Sequence, residues 1–148
     1  MEQRSPVSPF RRKAMPHSSD PEYRLFIIPF IDESSAKRVT SVRLETFKSF
    51  ASFRYDLSVR ENAEANKIKL KVLGLKTPPL SLPATGHAVF TQEYGSLHGD
   101  IEITVEGIDG KSATVHVRIS TKGVKIIQHP KGTFLEVIAG SAVGTESQ

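Results

Sequence analysis

The chain has 148 residues, 38% of them hydrophobic and 24% charged, with a net charge of +4 and no cysteine. That is the size and composition of one globular domain, and the missing cysteine excludes disulfide frameworks, thiolate metal sites and cysteine nucleophiles. No run approaches the ~20 apolar residues of a membrane helix, and Arg11-Arg12-Lys13 leads into no apolar stretch of the signal-peptide kind, so a soluble, cytoplasmic protein without membrane association is expected.

Residues 1–22 interleave Pro6, Pro9, Pro16 and Pro21 with serine and charge, which predicts a disordered tail. Residues 140–148 are small and polar and predict a second one. Between them a single β domain is expected over residues 23–139.

Tyr23–Asp32 opens that domain as a strand that is apolar on both faces. Leu25, Ile27 and Ile31 lie on one side, and Phe26, Ile28 and Phe30 on the other. Pro29 has no amide to give a ladder, so an edge or a bulge is expected there. Val39–Lys48 reads as a strand with Val42 and Leu44 on one face. A helix over Ser35–Phe50 is the alternative, because Val39, Val42 and Phe50 also fall near one helical side.

Next comes a hairpin. Phe53, Tyr55, Leu57 and Val59 alternate with polar residues, and so do Ile68, Leu70 and Val72. A loop over Glu61–Asn66 predicts Val59 opposite Ile68, Leu57 opposite Leu70 and Tyr55 opposite Val72. The other face then carries Arg54, Arg60, Lys67, Lys69 and Lys71, with Asp56 its one acid. Thr77–Pro83 is predicted as an extended crossover.

The last third predicts a five-strand antiparallel meander, from Ala88–Tyr94 to Thr133–Ile138. Its centre is the segment Gly107-Ile108-Asp109-Gly110-Lys111. A two-residue turn there would mix apolar and polar side chains on each face. A bulged loop with Gly110 left-handed shifts the register by one. Ile101 then faces Val117, Ile103 faces Val115 and Val105 faces Ala113. On the other face Asp100 meets Arg118, Glu102 meets His116 and Thr104 meets Thr114. The bulged form is the one predicted. The expected fold is therefore all-β: an antiparallel two-sheet sandwich or partly closed barrel of about nine strands.

Chemistry is sparse. His17, His87, His98, His116 and His129 form no HxH or HxxxH pair, so no metal site is expected. There is no GxSxG, GxGxxG or GxxxxGK[ST] segment. Glu102 and Glu106 have polar or basic neighbours and nothing to desolvate them. Arg11-Arg12 with Asp56-Leu57-Ser58 resembles part of the pattern of cyclic-dinucleotide-binding PilZ domains, but Glu61 stands where that pattern has glycine. Ile101-Glu102-Ile103 resembles the tail anchor of small heat-shock proteins, but here it falls in mid-strand. Neither resemblance carries a function over.

No enzyme and no cofactor are expected. The leading expectation is a non-catalytic binding or assembly module with a protein partner or as a homo-oligomer. Leu25, Phe26, Ile28 and Phe30 are its candidate interaction residues. The basic excess lies in residues 23–76, with 11 basic and 6 acidic side chains against 3 and 5 in residues 77–122. Arg54, Arg60, Lys67, Lys69 and Lys71 are thus candidates for binding nucleic acid or another polyanion. A small-ligand or carbohydrate site in a cleft is the third possibility.

Overall fold

The computed structural model describes residues 20–51, 54–78, 86–95 and 97–140. The described residues form nine strands: β1 (Tyr23–Asp32), β2 (Lys37–Phe50), β3 (Asp56–Glu64), β4 (Lys67–Lys76), β5 (Gly86–Tyr94), β6 (Gly99–Glu106), β7 (Ser112–Ser120), β8 (Gly123–Gln128) and β9 (Leu135–Ala139). All nine belong to one sheet, in the order β8-β7-β6-β4-β3-β5-β2-β1-β9. The sheet curls into a nearly closed barrel around one apolar core. The expected tails lie mostly outside the described residues. Glu22 and Gly140, at their inner ends, are bonded into the fold through Phe134 and Ile27.

Alternation explains the core. Leu25 and Ile27, Val42 and Leu44, Ile68 and Leu70, and Ile103 and Val105 all point inward and are fully buried or nearly so. The segment 37–50 is a strand, with the β-branched residues Val39, Thr40 and Val42 on it, and no helix forms there.

Two expectations about pairing are corrected. The sheet is mixed, not antiparallel, because β1–β9, β4–β6 and β3–β5 run parallel. The five-strand meander shrinks to β6-β7-β8. β5 pairs with β2 and β3, and β9 pairs with β1. Short turns announce hairpins in a sequence, whereas these partners are joined by long excursions.

The β6–β7 hairpin has the expected register, with Ile103 opposite Val115 and Thr104 opposite Thr114. Gly110 is left-handed at φ 90, and the Gly107 amide donates to the Lys111 carbonyl at 2.7 Å. The β3–β4 hairpin is corrected. Its turn is only Ala65-Asn66, so Val59 faces Val72, Glu61 faces Leu70 and Ala63 faces Ile68. A bulge at Ser58/Val59 then brings Leu57 opposite Leu75. The shift is an even number of residues, so the inward and outward faces stay as expected.

Pro29 explains how the barrel nearly closes. The Gly140 amide donates to the Ile27 carbonyl at 2.8 Å. The next bond of that parallel ladder would run from the residue-29 amide to the Gly140 carbonyl. Proline has no such amide. The ladder stops there, and the Gly140 carbonyl instead accepts from the Val124 amide of β8 at 3.2 Å. The expected edge position of Pro29 is thus a ladder end at the seam between β9 and β8.

Candidate binding surfaces

Three surfaces gather the chemistry of this fold. The first is the outer face of β1. Leu25 points the other way and is fully buried, so of the four candidate interaction residues it alone belongs to the core. Phe26, Ile28 and Phe30 point outward. Pairing widens the strip: β2 sets Val39 opposite Phe30, and β9 sets Ile138 beside Phe26. Ile28 is 42% exposed and Ile138 39% exposed. Ile31 falls by alternation with Leu25 and Ile27, yet it is exposed at the strand's end.

One edge of this strip is polar. The Arg43 guanidinium lies 5.7 Å from the centre of the Phe26 ring, and that of Arg24 lies 4.8 Å from the centre of the Phe47 ring. Between the two arginines sits Glu45, only 4% exposed. It lies 3.0 Å from Arg43 and 4.0 Å from Arg24. A covered carboxylate is costly unless it is paired, so Glu45 fixes Arg43 beside the apolar strip, while Arg24 donates to Glu136 at 2.8 Å. Nothing in the sequence singles out Glu45 from the other acids.

The second surface is the basic face of β3 and β4. Lys67, Lys69, Lys71 and Arg60 all point outward as expected, while Arg54 precedes β3 and stands apart from that ladder. The hairpin alone suggests a positive field. Its parallel neighbour β6 changes that, because it sets Glu102 beside Lys67 and Glu106 beside Lys71. Glu106 lies 3.1 Å from Lys71 and 3.4 Å from Lys69, and both lysines hold its carboxyl below the usual range. Further round the barrel Arg118 donates to Asp100 at 2.7 Å, and His116 lies 4.0 Å from Glu102.

The third surface is a broad cleft at one end of the barrel, about 1100 Å³ in volume. Tyr23, Phe47, Phe50 and Phe134 supply aromatic walls, with Lys48, Lys111, Asp20 and Glu22 around them. Tyr23 and Phe134 meet edge to face at 5.5 Å, as do Phe50 and Tyr55 at 5.3 Å. Gly107 lies beneath Phe134, where a Cβ would come within 3.1 Å of the ring and the ring would have to give by a few tenths of an ångström. Part of the wall is a bulge in β2, where the ladder to β5 breaks between Glu45 and Ser49. The Phe47 amide there donates to the Glu22 carbonyl, and the Thr46 hydroxyl donates to the Lys48 carbonyl. Lys111 is tied to Glu22 at 3.1 Å and to Asp109 at 3.7 Å. The lining comes from four separate stretches of chain, so no local motif announces it.

Among the described residues no group of three or more His, Cys, Asp or Glu side chains is arranged to hold a metal ion. His87 donates through Nδ1 to the Thr46 carbonyl, and His98 and His129 are exposed. His17 lies outside the described residues. No helix among the described residues is long and apolar enough to cross a membrane. Comparison with protein-family models, with curated proteins and with solved structures finds no match to this chain.

Proposed function

We infer that the protein is a non-catalytic binding or assembly module that holds a protein partner on the outer face of β1. The observation that carries this reading is the strip of Phe26, Ile28, Phe30, Val39 and Ile138 on that face, with Ile28 and Ile138 more than a third exposed. A folded chain gains by covering apolar area, at about 25 cal/mol per Å². A contiguous patch on the outside of a barrel leaves that gain to a partner. Glu45 holds Arg43, and Glu136 holds Arg24, at its margin, where a polar rim belongs.

Charging the strip tests the reading. Ile28→Lys combined with Ile138→Lys is expected to leave the unfolding free energy in urea within about 0.5–1 kcal/mol of the parent. The same variant is expected to lose a protein that the parent retains from an extract of its source organism. An identical set of retained proteins would end this reading.

A small ligand in the end cleft is the second reading, supported by the cleft's volume and aromatic walls. A compound that raises the melting temperature of the parent, but not of Phe50→Ser, is the result that would favour it. The polyanion reading loses its main support, because Lys69 and Lys71 share Glu106 and Lys67 lies beside Glu102.

A further inference from the structure

The seam between β3 and β5 is nearly unpaired. The two strands share one backbone position, Asp56 beside Val89, and beyond it β3 pairs only with β4. Further along, the Tyr94 hydroxyl reaches across and donates to Glu61 at 2.5 Å. Among the described residues, one side of β3 beyond Asp56 is therefore a strand edge with no backbone partner.

The direction of its backbone groups follows from the neighbours. The Glu102 amide donates to the Asn66 carbonyl, so even-numbered residues at the start of β4 turn their backbone groups toward β6. Odd-numbered residues of β4 turn toward β3, where Lys67, Lys69 and Lys71 meet Glu64, Asn62 and Arg60. The amides and carbonyls of Glu61 and Ala63 then point outward at the free edge. Among the described residues no backbone partner meets them.

The side chains along this edge have a symmetry of their own. Arg60 and Glu64 both lie on the outer face, exposed, with Asn62 between them. Neither takes part in an ion pair among the described residues. Arg60 also stands directly opposite Lys71, a like charge across the ladder, which is unfavourable by a few tenths of a kcal/mol.

We propose that this edge is a homodimer interface, in which β3 of one copy pairs antiparallel with β3 of a second about a two-fold axis through Asn62. Arg60 then stands opposite Glu64 of the second copy, and the reverse, while Asn62 meets its own counterpart. Each glutamate sits between an arginine across the interface and its own copy's Lys67. On the inner face Glu61 meets Ala63 of the second copy, a side chain small enough to leave the Tyr94–Glu61 bond intact. Glu61 and Ala63 exchange backbone bonds with the second copy, which satisfies the free edge. A second copy is the occupant that the charges select, because only a two-fold lays this sequence against its own complement. The surface lies away from the β1 strip, so the two proposals fail separately.

The test is the mass of the full chain in solution, measured across a concentration series at low salt. A dimer that weakens with salt is expected. Arg60→Glu and Glu64→Arg should each weaken it roughly tenfold, and the double swap R60E/E64R should restore it. Ala63→Pro should abolish it, because the ring removes an outward amide without touching the ladder to β4. If Ala63→Pro does not fold, the charge swap decides alone. A chain monomeric at every concentration overturns the proposal. So does a dimer that withstands either single swap, or one that Ile28→Lys disrupts.

Discussion

Two alanines hold conformations that alanine resists. Ala36 and Ala65 have φ of 56 and 50, in the left-handed region that costs a non-glycine residue about 1–2 kcal/mol. Each closes a hairpin. At Ala36 the Asp32 carbonyl accepts from the alanine amide at 2.7 Å, and the hydroxyls of Ser34 and Ser35 donate to the Asp32 carboxylate. Those hydroxyls, Ser35 first, hold the Asp32 carboxyl below its usual range. Glycine would take either backbone without strain, at some cost from a freer unfolded chain. Ala36→Gly and Ala65→Gly are each expected to raise stability by about 0.5–1 kcal/mol in urea denaturation. Tyr94 is the other decisive residue. Burial first, then its bond to Glu61 and the charge of Glu61, push its phenol above the usual tyrosine range. The folded state thus holds that proton more tightly than the unfolded state does. The resulting stabilisation is fully present below about pH 10 and is lost as the pH rises through that value toward the folded pKa. Burial pushes Tyr23 the same way. Tyr94→Phe should therefore reduce, without abolishing, the fall in stability above about pH 10. It should also cost about 1–2 kcal/mol near pH 7 through the lost bond to a charged acceptor. An unchanged alkaline slope would show that Tyr94 does not couple to the fold.

The hairpins separate what can be read locally from what cannot. The β6–β7 pair is legible because only one register matches apolar to apolar on one face and charge to charge on the other, and Gly110 supplies the left-handed turn that register needs. Gly110→Ala is expected to cost about 1–2 kcal/mol for that reason. Ile103→Ala, in the same hairpin's core, is expected to cost about 2–5 kcal/mol. The β3–β4 hairpin hides its register. Its faces match equally well in two pairings an even number of residues apart, and its Ala65-Asn66 turn carries no glycine to mark it. The parallel neighbours leave no local trace at all. β4 meets β6, and β1 meets β9, through side chains that any exposed or buried strand would carry. The candidate surfaces inherit this division. The outward row of β1 can be read from alternation, whereas Ile138 and Val39 join it only once the partners of β1 are known.

Across the whole molecule, topology decides what the charges mean. Residues 23–76 hold most of the net positive charge, but pairing β4 with β6 lays acids from a distant stretch of chain beside the lysines. Reversal of Lys67, Lys69 and Lys71 together is accordingly expected to change retention on immobilised heparin little, since Glu106 already occupies two of them. A steep loss of retention would restore the polyanion reading. The barrel also sorts β1 into a face that holds the molecule together and a face that stays partly exposed. Ile27 and Ile28 are adjacent in the chain, one fully buried and the other 42% exposed. Denaturant unfolding of Ile27→Asp and Ile28→Asp side by side is the most direct test. Ile27→Asp should lose more than about 4 kcal/mol or fail to fold, while Ile28→Asp should stay within about 1 kcal/mol of the parent. Equal, large losses from both would mean that the outer face of β1 is part of the core and is not available to a partner.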